Sequence, residues 1–150
     1  RVGILTSTGG AGGLVADRGG LAGFTPPAPS RKTAARLASL FSHAGFTADR
    51  NPIDLTLAGL TPEIVGGSIT ALLEANEYDV VIPIIGSSGV GQPELVADPV
   101  IEAVKKTSKP LLVYCSPDAP AIIHRLNSAG VPTYAAPESC SDALKALLKI

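Results

Sequence analysis

The sequence predicts a three-layer α/β fold, a doubly wound parallel sheet with helices on both faces. Short apolar runs alternate with helix-length segments along the whole chain, as parallel crossovers require. One run, Asp79 to Ile85, is apolar after its first residue, as in a strand buried on both faces. The 150 residues, 45% of them apolar, suffice for one domain with a sizeable core. Aromatic residues make up only 4%, so Val, Ile, Leu and Ala must fill that core.

Each element has its own local reason. Val2 to Thr6 is the first apolar strand, and Gly12 to Leu21 follows as a helix weakened at its end by Gly19-Gly20. Ala22-Gly23-Phe24-Thr25 reads as a short second strand, stopped by Pro26-Pro27 at the head of a proline-rich connector. Ser30 is a natural N-cap for a helix from Arg31 to Phe41, with Leu37, Leu40 and Phe41 on one face. A loop through Asn51-Pro52-Ile53-Asp54-Leu55-Thr56 leads to a helix from Thr61-Pro62 to about Glu77, with Thr61 as cap. After the strand Asp79–Ile85 comes a helix from about Pro93 to Thr107. Lys109 to Cys115 is a strand, and Ser116 caps a helix from Pro117 to Ser128 that Ala129-Gly130 ends. Val131 to Ala135 and Ser139 to Leu148 are the last strand and helix. Five strands in the flavodoxin-like order 2-1-3-4-5 fit this alternation, and ligands of such sheets bind where the winding reverses, outside the carboxyl ends of the first and third strands.

Those two strands carry the chain's most informative feature. Each runs into a glycine- and serine-rich turn: Ser7-Thr8-Gly9-Gly10-Ala11-Gly12-Gly13 and Gly86-Ser87-Ser88-Gly89-Val90-Gly91. Glycine permits a positive φ and close approach of a ligand, while the first N–H groups of the next helix point outward and, with the dipole, favour an anion such as phosphate. Gly10→Val is accordingly expected to strain the turn by about 1–3 kcal/mol.

Other chemistries fit poorly. Gly10-Ala11-Gly12-Gly13-Leu14-Val15 has Val15 where a dinucleotide fingerprint needs its third glycine, and Phe24-Thr25-Pro26 puts no acid at the end of the expected second strand. No Gly-Lys-Ser/Thr follows either turn, and Gly86-Ser87-Ser88-Gly89 misses the Gly-x-Ser-x-Gly spacing of a hydrolase nucleophile. His43 and His124 read as surface or helix-end residues, and no metal is expected. Net charge is −1 without a basic cluster, which argues against nucleic acid or a polybasic membrane patch. No apolar run is long enough for a membrane span and no signal peptide is recognisable. Cys115 and Cys140 lack metal or redox spacing and read as reduced structural thiols in a cytoplasmic protein. Asn51-Pro52-Ile53-Asp54 has two readings, a turn capped by the Asp54 carboxylate or a loop projecting Asn51 and Asp54 toward the ligand edge. The chain starts at Arg1 and contains no methionine, so residues 1–150 are expected to be one domain trimmed from a longer protein.

The stretch from Val2 to Asp17, the Asn51-Pro52-Ile53-Asp54-Leu55-Thr56 segment and the glycine-rich turn after the third strand, in this order, resemble the succinyl-CoA-ligase-like flavodoxin domain of NDP-forming (ADP-forming) acyl-CoA synthetases. The resemblance runs over nearly the whole chain, with Gly19-Gly20 standing where the family has a more helix-favouring stretch. It implies an acid–thiol ligase that joins an acid to coenzyme A with ATP cleavage, through an acyl phosphate and a phosphohistidine, using ATP/ADP, Mg and coenzyme A in the full-length enzyme. It implies as partners the neighbouring CoA-binding, phosphohistidine-bearing and ATP-grasp domains, with a homo-oligomer also allowed. The phosphohistidine belongs to a neighbouring domain, so neither His43 nor His124 inherits that role. Ser7, Thr8, Gly9, Gly10 and Gly12 match the family's first phosphate-facing turn, and Gly86, Ser87, Ser88 and Gly89 its second. Glu94 is expected in the first turn of the helix after the second turn, where its charge repels an anion, or accepts a hydrogen bond from the phosphohistidine ring as a catalytic carboxylate does in the family, or merely complements the helix dipole; Asn51 and Asp54 form a supporting loop. The isolated chain is expected to bind none of these cofactors tightly and to lack synthetase activity. Related protein acetyltransferases with an inactive synthetase-like portion carry the same domain, so a regulatory or scaffolding role is the alternative.

Overall fold

The computed structural model describes residues 1–41, 46 and 48–148. Strands β1 (Val2–Thr6), β2 (Ile53–Asp54), β3 (Val80–Gly86), β4 (Val113–Ser116) and β5 (Thr133–Tyr134) pair in parallel in the order β2-β1-β3-β4-β5. This is the expected sheet. β3 lies at its centre, and every one of its residues is buried.

Helices α1 (Gly9–Leu21) and α7 (Pro137–Leu148) cover one face, joining Ala11, Val15, Cys140 and Leu144 to the β3 residues Ile82 and Ile84. Helices α2 (Arg31–Ala38), α3 (Pro62–Glu74), α5 (Pro93–Val104) and α6 (Pro120–Ser128) cover the other, where Leu37, Ile69, Val100 and Leu126 meet Val81 and Ile85. The period-two alternation of β3 thus feeds two separate cores. Fully burying a side chain such as Leu37, Ile69 or Leu126 contributes about 1.5–3 kcal/mol. A four-residue helix, α4 (Ser87–Val90), opens directly at the end of β3. Two of the three predicted caps form: Thr33 N–H donates to Ser30 Oγ at 3.2 Å and Ile64 N–H to Thr61 Oγ1 at 3.2 Å.

The identity of the second strand departs from expectation. Ala22-Gly23-Phe24-Thr25 is not a strand. Gly23, at φ 87°, closes α1, Phe24 N–H turns back to Gly19 O at 2.9 Å, and Phe24 is buried beneath α1. The edge place goes to Ile53–Asp54 because Asn51 pairs with β1 through its side chain: Ile4 N–H donates to Asn51 Oδ1 at 3.0 Å and Asn51 Nδ2 donates to Val2 O at 2.8 Å. Leu55 N–H completes the ladder on Thr6 O at 2.7 Å.

Several boundaries also move, among them the start of β4, at Val113 rather than Lys109, and the end of α3, at Glu74 rather than Glu77. α1 starts at Gly9 rather than Gly12, so the first glycine run is helical. α2 ends at Ala38, short of Phe41. Ser116 ends β4 instead of capping a helix, and α6 begins at Pro120 after Ala119, a residue with no side-chain cap to offer. His43 lies outside the described residues, and His124 is exposed on α6. Cys115 and Cys140 are free and buried, and burial raises their thiol pKa values to about 11 and about 12. Among the described residues no helix is long and apolar enough to cross a membrane.

Candidate functional site

The winding reverses between β1 and β3, so the first place to look for chemistry is the carboxyl edge shared by these strands. Thr6, nearly inaccessible, organises the first turn: its Oγ1 accepts Thr8 N–H at 2.9 Å and donates to Thr8 O at 2.8 Å. That leaves Thr8 as the N-cap residue of α1 with extended backbone, no side-chain capping bond and no acidic residue in the helix's first turn. The outward N–H groups of α1 are therefore not satisfied by a cap from its own chain segment.

The two turns touch. A Cβ on Gly86 would stand 1.9 Å from Thr8 Oγ1 and 2.9 Å from Thr8 Cβ, so only glycine lets the second turn close against the first. Gly89 is packed closely too, though less tightly, 3.0 Å from Val96 Cγ1 and 3.2 Å from Ile85 Cγ2 by the same measure. The structure thus brings Thr8 and Gly86 together, with Ser7 and Ser88 half-buried and Gly9, Gly10 and Ser87 exposed around them. Thr6, which sequence reasoning passed over as the end of a strand, holds the first turn; a threonine at a strand's carboxyl end two residues before an N-cap position was the available signal.

The reason for the first-turn glycines is corrected. Gly9, Gly10, Gly12 and Gly13 are helical, and among the described residues positive φ occurs at Gly23, Gly130 and Thr56 only. Gly10 has nothing within 4 Å of an added Cβ, so Gly10→Val meets no strained turn. Gly12 does pack closely, 3.0 Å from Thr6 Cγ2 and 3.2 Å from Pro52 Cβ.

The Asn51 and Asp54 pair divides. Asn51 faces β1 and Pro27 O, to which its Nδ2 donates at 3.0 Å, and not the ligand edge. Asp54 reaches the edge: Oδ1 accepts Thr56 N–H at 2.8 Å, the capped turn foreseen for it, and Oδ2 lies 3.3 Å from a Cβ placed on Gly9. The second strand therefore does end on an acid, contrary to the expectation built on Phe24-Thr25-Pro26. Thr56 itself has φ 56° and ψ −179°, a conformation ordinarily reserved for glycine. Glu94 sits exposed in the first turn of α5, a separate helix from the one that opens at Gly86, and takes no hydrogen bond or ion pair among the described residues.

This edge is a shallow surface over a small apolar cavity of about 20 Å³, bounded by Leu5, Thr6, Ser7, Leu55 and Leu60. That volume is room for one water at most. A roomier cleft of about 360 Å³ lies at the opposite end, between Ser30, Arg36, Glu74 and Glu77. Over this small cavity the described residues of the carboxyl edge offer hydroxyls and backbone donors to a group presented from outside.

No family model and no curated protein matches the chain. Solved structures do. The dinucleotide-forming acetyl-coenzyme A synthetase 1 of Ca. Korarchaeum cryptofilum, in its apo form, superposes with a TM-score of 0.83 at 25% identity, over 99% of this chain and 32% of its own. This likeness over nearly the whole chain is consistent with a domain of NDP-forming acyl-CoA synthetases. The same synthetase in complex with phosphate and ADP gives this domain a TM-score of 0.82 at 25% identity, again over 99% of this chain and 32% of the synthetase. The crystal structure of PH0766 from Pyrococcus horikoshii OT3 matches the domain with a TM-score of 0.87 at 28% identity, over 99% of this chain and 35% of that protein. The domain spans about a third of the length of each.

Proposed function

We propose that this chain acts within an ADP-forming acyl-CoA synthetase as the domain that receives a phosphoryl group, carried as phosphohistidine or acyl phosphate, at the carboxyl edge of its sheet. The observation that carries the reading is the contact between Thr8 and Gly86, which sets the uncapped amino end of α1 beside the turn after β3. Ser7, Thr8, Gly9, Gly10 and Gly12 line the first half of this surface and Gly86, Ser87, Ser88 and Gly89 the second. Their N–H and hydroxyl groups would stabilise phosphoryl oxygens as charge moves onto them. Glu94, exposed and without a partner among the described residues, is the candidate acceptor for a ring N–H. Neighbouring domains of one larger cytoplasmic protein would bring the phosphohistidine, ATP with Mg, and coenzyme A. Likeness to a synthetase solved with phosphate and ADP supports a ligase parent.

One observation favours the second reading, a regulatory or scaffolding domain of a synthetase-like acetyltransferase: the Asp54 carboxylate over Gly9 already complements the positive end of α1. Titration with inorganic phosphate, followed by amide chemical shifts, separates the two. Weak binding with shifts concentrated at residues 7–13 and 86–91 is expected. Shifts confined to residues 107–109 or 127–130 at the opposite edge would overturn the phosphoryl-receiving role.

A further inference from the structure

We propose that Asn127 and Thr133 close the outer edge of β5 with their side chains, so that a second copy of this chain cannot extend the sheet by pairing its own β5 there. This closure is independent of the phosphoryl-receiving role at the carboxyl edge. β5 is the last strand of the sheet, so one of its two sides has no strand beside it. Val113 N–H donates to Pro132 O at 2.8 Å, which turns Pro132 and Tyr134 toward β4. Consecutive residues of a strand present their backbone groups to opposite sides, so those of Val131 and Thr133 face outward. Outward groups of an edge strand are a template for another chain, and Val, Thr and Tyr are residues that strands favour.

Here the template is occupied from within. Thr133 N–H donates to Asn127 Oδ1 at 3.0 Å, and Thr133 Oγ1 donates to Val131 O at 3.0 Å. The turn out of α6 sets Asn127 in place for this. Gly130, at φ 80°, lets the chain reverse, while Gly130 N–H donates to Asn127 O at 3.0 Å and Val131 N–H to Leu126 O at 2.9 Å. Asn127 is thus held through its carbonyl as well as its side chain. Two β5 edges meeting about a twofold axis would run antiparallel, and each would need the Thr133 N–H and the Val131 carbonyl free. Both are taken by bonds that such a pairing must first break.

Asn127→Ala frees the N–H of residue 133, and Thr133→Val frees Val131 O while keeping a branched side chain of similar size in a buried place. Asn127→Asp keeps an acceptor for the N–H. Wild type, the single variants and the Asn127→Ala/Thr133→Val double variant are followed by amide hydrogen exchange and by sedimentation velocity from about 10 μM to about 1 mM, the range in which exposed strand edges associate. Wild type and Asn127→Asp are expected to stay free of β5 pairing, with slow exchange at residue 133. Exchange there should be about three- to tenfold faster in Asn127→Ala, as the loss of one hydrogen bond predicts. The double variant should form a dimer whose fraction rises with concentration. A double variant that keeps a native amide spectrum and exchanges fast at residue 133, yet stays monomeric at the highest concentration, overturns the proposal. Unchanged exchange at residue 133 in Asn127→Ala overturns it whether or not the double variant folds. So does a wild-type chain that associates with its residue 133 amide perturbed.

Discussion

The two ends of the sheet are built from opposite materials. At the amino end, charged side chains are tied to one another and to the backbone around an open cleft: Arg1 grips Asp79 through Nη2 at 3.0 Å and Nε at 3.3 Å, Glu77 Oε1 accepts Ser30 N–H at 2.7 Å, and Lys109 Nζ donates to Ala75 O at 2.6 Å. The guanidinium of Arg1 holds the Asp79 carboxyl well below its ordinary range. At the carboxyl end there is no ion pair among the described residues of the turns, and glycines and hydroxyls leave backbone donors outward. The difference teaches where this fold keeps unsatisfied hydrogen-bonding capacity. Ion pairs and charged hydrogen bonds tie down the amino end, while the turns at the winding reversal keep their donors outward.

The largest expected effect breaks the carboxyl end. Gly86→Ala forces a methyl group into Thr8, and such overpacking typically costs about 1–3 kcal/mol. Chemical denaturation should show the loss, and adding Thr8→Ala should restore part of it because the two sites are coupled through one contact. Full wild-type stability in Gly86→Ala would mean the two turns do not pack as described.

The amino end should respond to acid instead. Burial pushes the Glu77 carboxyl up, but Ser30 N–H and the hydroxyls of Thr33 and Ser30 outweigh it and bring the pKa down to about 2 from 4.5. A folded-state pKa below the unfolded value means that the stabilisation is complete above pH 4.5 and is lost as pH falls toward 2. Glu77→Gln should therefore flatten the fall in stability across that window, read from denaturation curves at pH 6, 4 and 3. An unchanged slope would show that Glu77 does not help to tie down this end.

The smallest effect sharpens the contrast within the carboxyl end. Gly10→Ala should stabilise by up to about 0.5–1 kcal/mol, since the position is helical, uncrowded and free of positive φ. A thermal midpoint that drops in this variant would return Gly10 to the strained-turn role that its sequence suggested.

By itself the sequence determined the strand–helix alternation, the parallel order and the placement of two glycine-rich segments at one edge, because apolar periodicity and punctuation by Gly, Pro and Ser are local signals. The caps at Ser30 and Thr61 followed for the same reason. What it could not determine depended on partners far along the chain. The second strand moved from residues 22–25 to Ile53–Asp54 because the Asn51 carboxamide finds β1, a pairing 47 residues apart that no local propensity encodes. Gly10 and Gly86 look alike as letters, yet only Gly86 is crowded, because Thr8 reaches it only once β1 and β3 lie side by side. Asp54 likewise is one more turn residue in the sequence. Tertiary structure made it the charge that faces α1, since strand pairing alone carries its carboxylate to the first turn of that helix.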